Sequence, residues 1–236
     1  MKLSELKKLE ENSDNHARAM IEFYDIKNAT INNGKVDVNG DVDLRYKDFK
    51  KFPVKFGHVT GYFWASNNDL LENFEGAPDR VDGDFECYAC SKLISTKGGP
   101  SIVKGNYIIY SNFKLESLEG CPEEVGKDFK VGSCPILKSL NHGPKIVGGN
   151  YDCDQDVSLT TLDGLPKQIN GYLAIRGLFR IKYYLEPIFS VKGVTQTDIG
   201  HPGVSEIINK YIKSNDMLNC QDELIEAGLE HFAEIE

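Results

Sequence analysis

The chain has 236 residues, 40% of them hydrophobic and 27% charged, with a formal net charge of −9. That composition fits one or two folded domains and excludes disordered and collagen-like chains, while the acidic balance speaks against a general nucleic-acid binder. No apolar run is long enough for a membrane helix, and the charged opening lacks the apolar core of a secretory signal.

The first segment, residues 1–27, has Met20, Ile21 and Tyr24 at helical spacing and predicts a helical cap. The pattern then changes. Written in rows of 22, the chain aligns Val59, Val81, Val103, Val125, Val147 and Ile169 in one column. Gly61, Gly83, Gly105, Lys127, Gly149 and Gly171 stand two places on, and predict a tight turn before each strand. Phe63, Phe85, Tyr107, Phe129, Tyr151 and Leu173 stand four on, with Ala65, Cys87, Ile109, Val131, Cys153 and Ile175 two places later. Alternation of this kind predicts one strand per row with one buried face. Asn68, Cys90, Asn112, Cys134, Asp156 and Leu178 form the next column, two columns rich in Leu follow, and Pro78, Pro100, Pro122, Pro144 and Pro166 close the rows. The pattern reaches back to Val42 and Leu44 after a one-residue deletion. It fades forward through Ile181, Tyr184, Val191 and Gly193 to Thr195 and Thr197, which fall in strand slots. Residues 201–236 repeat the helical spacing at Leu218, Ile225, Leu229 and Phe232 and predict a second cap. Asp216 to Glu236 hold seven acids and no Lys or Arg.

The row pattern Φ-x-Φ-x-x-N/C-x-x-L-x-x-L, with Φ apolar or aromatic, resembles the leucine-rich repeat. The segments FECYACSKLISTKGGPSIVKGNYIIYSN and LESLEGCPEEVGKDF are similar to leucine-rich repeat proteins of tailed bacteriophages, and YDIKNATINNGKVDVNGDVDL is similar to the cap preceding their repeats. The resemblance implies an α/β fold: a right-handed solenoid with a concave parallel β-sheet. Residues 28–200 would form about seven repeats and a degenerate last one, between helical caps at 1–27 and 201–236. It also implies that Asn in the Asn/Cys column hydrogen-bonds backbone of adjacent turns, with Cys as a compact substitute.

Candidate chemistry is sparse. Cys87-x-x-Cys90 has the spacing of a zinc half-site or a redox pair, yet both cysteines, like Cys134 and Cys153, fall in inward columns and read as core. Reduced core thiols point to a reducing compartment, so a cytoplasmic location is expected. Asp152, Asp154 and Asp156 resemble the start of a calcium loop, but Val157 stands where that loop needs Gly. The five histidines form no metal spacing, and no nucleophile elbow, phosphate loop or metalloprotease motif occurs. No cofactor or metal is expected.

The outward columns carry the functional expectation. They hold Tyr62, Trp64, Glu86, Tyr88, Ile108 and Tyr110 in the N-terminal half, and Asp128, Lys130, Asp152, Asp154 and Arg176 in the C-terminal half. Large aromatics facing outward suit a binding surface, because Trp and Tyr bury much area with few rotors. The expected function is a non-enzymatic protein-binding module, with aromatic anchors and an acidic strip that orients a basic or apolar partner surface. If the phage likeness holds, the partner is a host or defence protein, in the host cytoplasm. The acidic C-terminal helix is a second candidate element, as a mimic of nucleic-acid charge. The alternatives are a carbohydrate-active or carbohydrate-binding β-solenoid using Asp128, Asp152 and Asp154, and a structural virion component.

Overall fold

The computed structural model describes residues 13–154, 158–176, 181 and 185–234. Asp156, Leu178, Tyr184, Glu236 and residues 1–12 of the expected first cap lie outside them. The described chain opens on helix α1 (Ser13–Phe23), which buries Ala17, Ala19 and Met20. Strands β1 (Ala29–Asn32) and β2 (Lys35–Val38) then pair antiparallel. Asn33 and Gly34 join them with φ of 51° and 72°, as a two-residue primed hairpin requires.

From there the chain is a parallel β-solenoid. Each row contributes two short strands rather than the single strand expected from the alternation. The first set is β4 (Phe56–Val59), β6 (Arg80–Val81), β8 (Ile102–Val103), β10 (Glu124–Val125), β12 (Ile146–Val147) and β14 (Gln168–Ile169). The second set is β3 (Val42–Asp43), β5 (Phe63–Trp64), β7 (Phe85–Glu86), β9 (Tyr107–Ile108), β11 (Phe129–Lys130), β13 (Tyr151–Asp152), β15 (Tyr172–Ala174) and β16 (Gln196–Asp198). The first set joins β1 and β2 in one eight-stranded sheet, and the second forms another. The backbone bends between them, so the Val and ring columns both point inward from different walls. On the third side, Ser95 and Ser117 form a single parallel bridge.

The register follows the 22-residue rows: Val59 faces Val81, and Phe63 faces Phe85. Val42 faces Phe63, one residue short, as the deletion predicts. The last turn departs from expectation. Leu173 faces Thr197, not Thr195, so the register has slipped by two. Helix α2 (Leu185–Ser190) lies in that turn and buries Leu185, Ile188 and Phe189, so the chain needs extra length to return.

Phe63, Phe85, Tyr107, Phe129 and Tyr151 are fully buried and stack ring on ring, with centroids 5.0–5.7 Å apart. Each phenylalanine ring contributes roughly 2–3 kcal/mol by leaving water. The corner after the second strand is held by the Asn/Cys column. Asn68 donates to Leu44 O of the preceding turn at 2.9 Å and to Ala65 O at 2.7 Å, and accepts the N–H groups of Lys47 and Asp48. Asn112 repeats the arrangement one pair of rows on. Asn67, Ala89, Ser111 and Ser133, one place earlier, all turn this corner with positive φ.

The Gly column serves a different purpose from the expected tight turn. Its members have no positive φ; instead a Cβ at Gly83 would stand 2.5 Å from Gly61 O, and one at Gly105 2.4 Å from Gly83 O. Glycine is needed there for close stacking of successive corners. The left-handed turn falls in another column, at Gly76, Gly98, Gly120 and Gly164, with His142 in the same slot at φ 68°.

Beyond β16 come α3 (Pro202–Tyr211), α4 (Met217–Glu226) and a 3₁₀ turn at Glu230–Phe232. Asn209 of α3 accepts the Thr197 N–H at 2.7 Å and donates to Thr197 O at 2.9 Å, satisfying the free edge of β16. Part of the tail's acidity is structural: Asp216 accepts the Asn219 N–H at the start of α4, and Glu223 pairs with Lys210 and Tyr211. Among the described residues, no helix is long and apolar enough to cross a membrane.

Candidate functional site

Alternation along the second sheet points Trp64, Glu86, Ile108, Lys130 and Asp152 outward, each opposite the next in register. Two residues further on, Tyr88, Tyr110, Asp154 and Arg176 reach the same face. Tyr88, Ile108, Tyr110, Lys130, Asp152, Asp154 and Arg176 line one cleft of about 450 Å³. Seven sequence-predicted residues thus meet in one place.

The cleft is built by rung-to-rung hydrogen bonds. The Tyr88 N–H donates to the buried Ser66 Oγ at 3.2 Å, which fixes where the Tyr88 ring departs. Tyr110 leans over Gly132, where a Cβ would come within 3.1 Å of its ring. Ile108 and Lys130 form the half-buried floor. Lys130 has no ion pair among the described residues. Asp154 is only 4% exposed; it accepts the Arg176 N–H at 2.8 Å and Nε at 2.6 Å and pairs with the rest of the guanidinium. Asp198 adds a longer contact to Arg176 at 3.6 Å.

Charge is tuned across the face. Burial pushes the Asp152 carboxyl above the usual range, against the Asp154 N–H that it accepts at 3.1 Å and the nearby Lys130 and Arg176. Burial likewise raises the Glu86 carboxyl, with Asp84 adding and Arg45 and Lys130 opposing. Tyr172 is pushed up to about 12 by burial and by the neighbouring Asp198. Asp152 therefore presents an under-solvated carboxylate beside the Lys130 ammonium on the next strand.

The remaining candidates lie elsewhere. Glu86 shares the outward column but stands beyond the cleft lining. Tyr62 and Trp64 stack at 5.3 Å near the N-terminal end, and the Arg45 guanidinium lies over the Trp64 ring at 5.0 Å. Arg45 is itself held by Asp43 through Nε at 2.9 Å and Nη2 at 2.6 Å. Asp128 belongs to a corner ladder rather than to an acidic strip. Its Oδ1 accepts the Asn150 N–H at 2.8 Å; Asp84 does the same for Asn106, Asn106 for Asp128, and Asn150 for Tyr172. Asp128 therefore stands apart from the cleft that Asp152 and Asp154 share.

Three contributors escaped the sequence reading. Arg45 lies in the first row, where the one-residue deletion displaces the outward columns. Gly132 carries no side chain to read in its outward slot, and its role needs the neighbouring Tyr110 ring. Asp198 joins the face only through the two-residue slip of the last turn. Among the described residues, no group of three or more His, Cys, Asp or Glu is arranged to hold a metal ion. Compared with protein-family models, curated proteins and solved structures, the chain matches none.

Proposed function

We propose that the protein is a non-enzymatic binding module that grips another protein through the outward face of its second sheet. The observation that carries this reading is the cleft itself. Two half-buried tyrosines and Ile108 supply an apolar anchor site, and charge stands beside it: Lys130 forms no ion pair among the described residues, and Asp152 accepts the Asp154 N–H at 3.1 Å. Interface energy concentrates in such aromatic pockets, and charge beside them sets orientation. The carboxylates that a carbohydrate-active site would use are largely engaged, Asp128 by Asn150 and Asp154 by Arg176, which favours binding over hydrolysis. In this reading the rows are leucine-rich repeats, the flanking helices close the solenoid's ends, and the likeness to tailed-phage proteins makes a host or defence protein the partner.

The test is capture from bacterial lysate on immobilised wild-type protein beside the Tyr88→Ala/Tyr110→Ala variant. Both side chains face outward, so the variant keeps its circular dichroism spectrum and cooperative melt. A partner held by wild type should lose at least about 2 kcal/mol, roughly 30-fold in affinity, on the variant. Equal retention by both proteins would refute the cleft as the binding surface.

A further inference from the structure

We propose that Cys87 and Cys90 form an oxidation site, closing to an intrachain disulfide when the protein meets a hydroperoxide. The inference does not depend on the cleft's partner. The two sulfurs stand 3.4 Å apart inside the corner that follows β7. Ala89, with φ 54°, folds the chain back so that residues three apart meet. A disulfide needs its sulfurs about 2 Å apart, so closure takes a movement on the order of 1 Å.

The fold does not require thiols here. The preceding row fills the same two positions with Ala65 and Asn68, both fully buried and in the same corner. Two thiols alone fall short of the four ligands of a structural zinc site. What the pair does supply is a nucleophile and a resolving thiol. The two sulfurs share a hydrogen bond, and backbone N–H groups of Asn68 and Asn67 also point at Cys90; together these outweigh burial and the charge of Asp69 and lower the Cys90 thiol. Burial raises Cys87 well above its ordinary value. Cys90 is therefore the more readily ionised of the two, and Cys87 holds its proton more tightly.

The chemistry balances. The Cys90 thiolate attacks one peroxide oxygen, the O–O bond breaks, and the departing alkoxide or hydroxide takes up a proton. Cys90 is left as a sulfenic acid. The Cys87 sulfur then attacks the Cys90 sulfur, the S–O bond breaks, and the hydroxyl leaves as water with the Cys87 proton. Two thiols and one hydroperoxide give one disulfide, one water and one alcohol, or a second water when the oxidant is hydrogen peroxide. Both sulfurs are fully buried, so a small oxidant reaches them as the corner opens locally. The ring so closed contains Tyr88, and oxidation thereby reaches the cleft.

The test treats folded wild type with hydrogen peroxide, alkylates free thiols and digests with trypsin. Cleavage after Arg80 and Lys92 puts both cysteines in one peptide, Val81–Lys92. The expected peptide is two hydrogens lighter, unalkylated at both cysteines, and restored by dithiothreitol. The control is Cys87→Ala/Cys90→Asn, which copies the preceding row, keeps a cooperative melt and shows no peroxide-dependent change in that peptide. Full alkylation of Val81–Lys92 while Cys121 or Cys220 oxidises would overturn the proposal. So would conversion of Cys90 to a sulfinic acid with no crosslink.

Discussion

Replacing Asn112 by alanine isolates the contribution of the corner column. Asn112 is fully buried, donates to Ile109 O at 2.6 Å and to Cys87 O of the preceding turn at 2.9 Å, and accepts the Cys90 N–H at 2.8 Å. Alanine leaves the Cys87 carbonyl and the Cys90 N–H without a partner in a buried corner, and leaves Ile109 O only the Cys134 thiol at 3.7 Å. At roughly 1–1.5 kcal/mol for each of the first two and less for the third, the loss is about 2–4 kcal/mol. That is a large part of the 5–15 kcal/mol typical of a whole domain's stability. Asn112→Cys should cost less, roughly half as much, since a thiol in this column still points at the preceding turn's carbonyl, as Cys90 does at Ala65 O. Urea unfolding followed by far-ultraviolet circular dichroism measures both variants, with the slope unchanged from wild type. An alanine variant within about 1 kcal/mol of wild type, or a cysteine variant as weak as alanine, would refute the reasoning.

Asp82 gives a pH-dependent counterpart. Burial raises its carboxyl, but hydrogen bonds from His58, Lys104 and Arg80 outweigh that and hold it at about 2 against an ordinary value of 3.8. A depressed folded value means stability that is complete above the unfolded pKa and is lost as pH falls from about 4 to about 2. Asp82→Asn should abolish that component, about 1–2 kcal/mol after allowance for partial exposure; an acid-unfolding curve identical to wild type would contradict it. His142→Gly should stabilise by about 0.5–1 kcal/mol, because an exposed side chain is held at φ 68° in a column otherwise filled by glycine. A lower thermal midpoint for that variant would show that the imidazole makes a compensating contact.

The solenoid was legible because its period writes every buried position six times over. Val, ring, Asn/Cys and Leu columns each repeat the same physical demand, so an irregular row such as Lys127 does not hide the pattern. The outward columns followed from alternation, which is why seven of the proposed residues do meet in the cleft. What alternation cannot distinguish is a side chain that faces a ligand from one that holds the next rung. Asp128 and Asp152 look alike in sequence. The first accepts a backbone N–H of its neighbour row, and the second lies on the open face.

By itself, then, the sequence determined the period, the inward columns, the corner residues and the faces on which the charged and aromatic groups lie. These are local properties, set by side-chain period and residue size and repeated in each row. Only the tertiary structure decided that each row bends into two strands, that an Asn33-Gly34 hairpin precedes the rows, and that α2 pushes the last turn two residues out of register. It also decided that Arg45 covers Trp64, that Arg176 occupies Asp154, and that two core cysteines stand within 3.4 Å. Those facts depend on how neighbouring turns meet across space, and a repeat read along one dimension carries no distance between its rows.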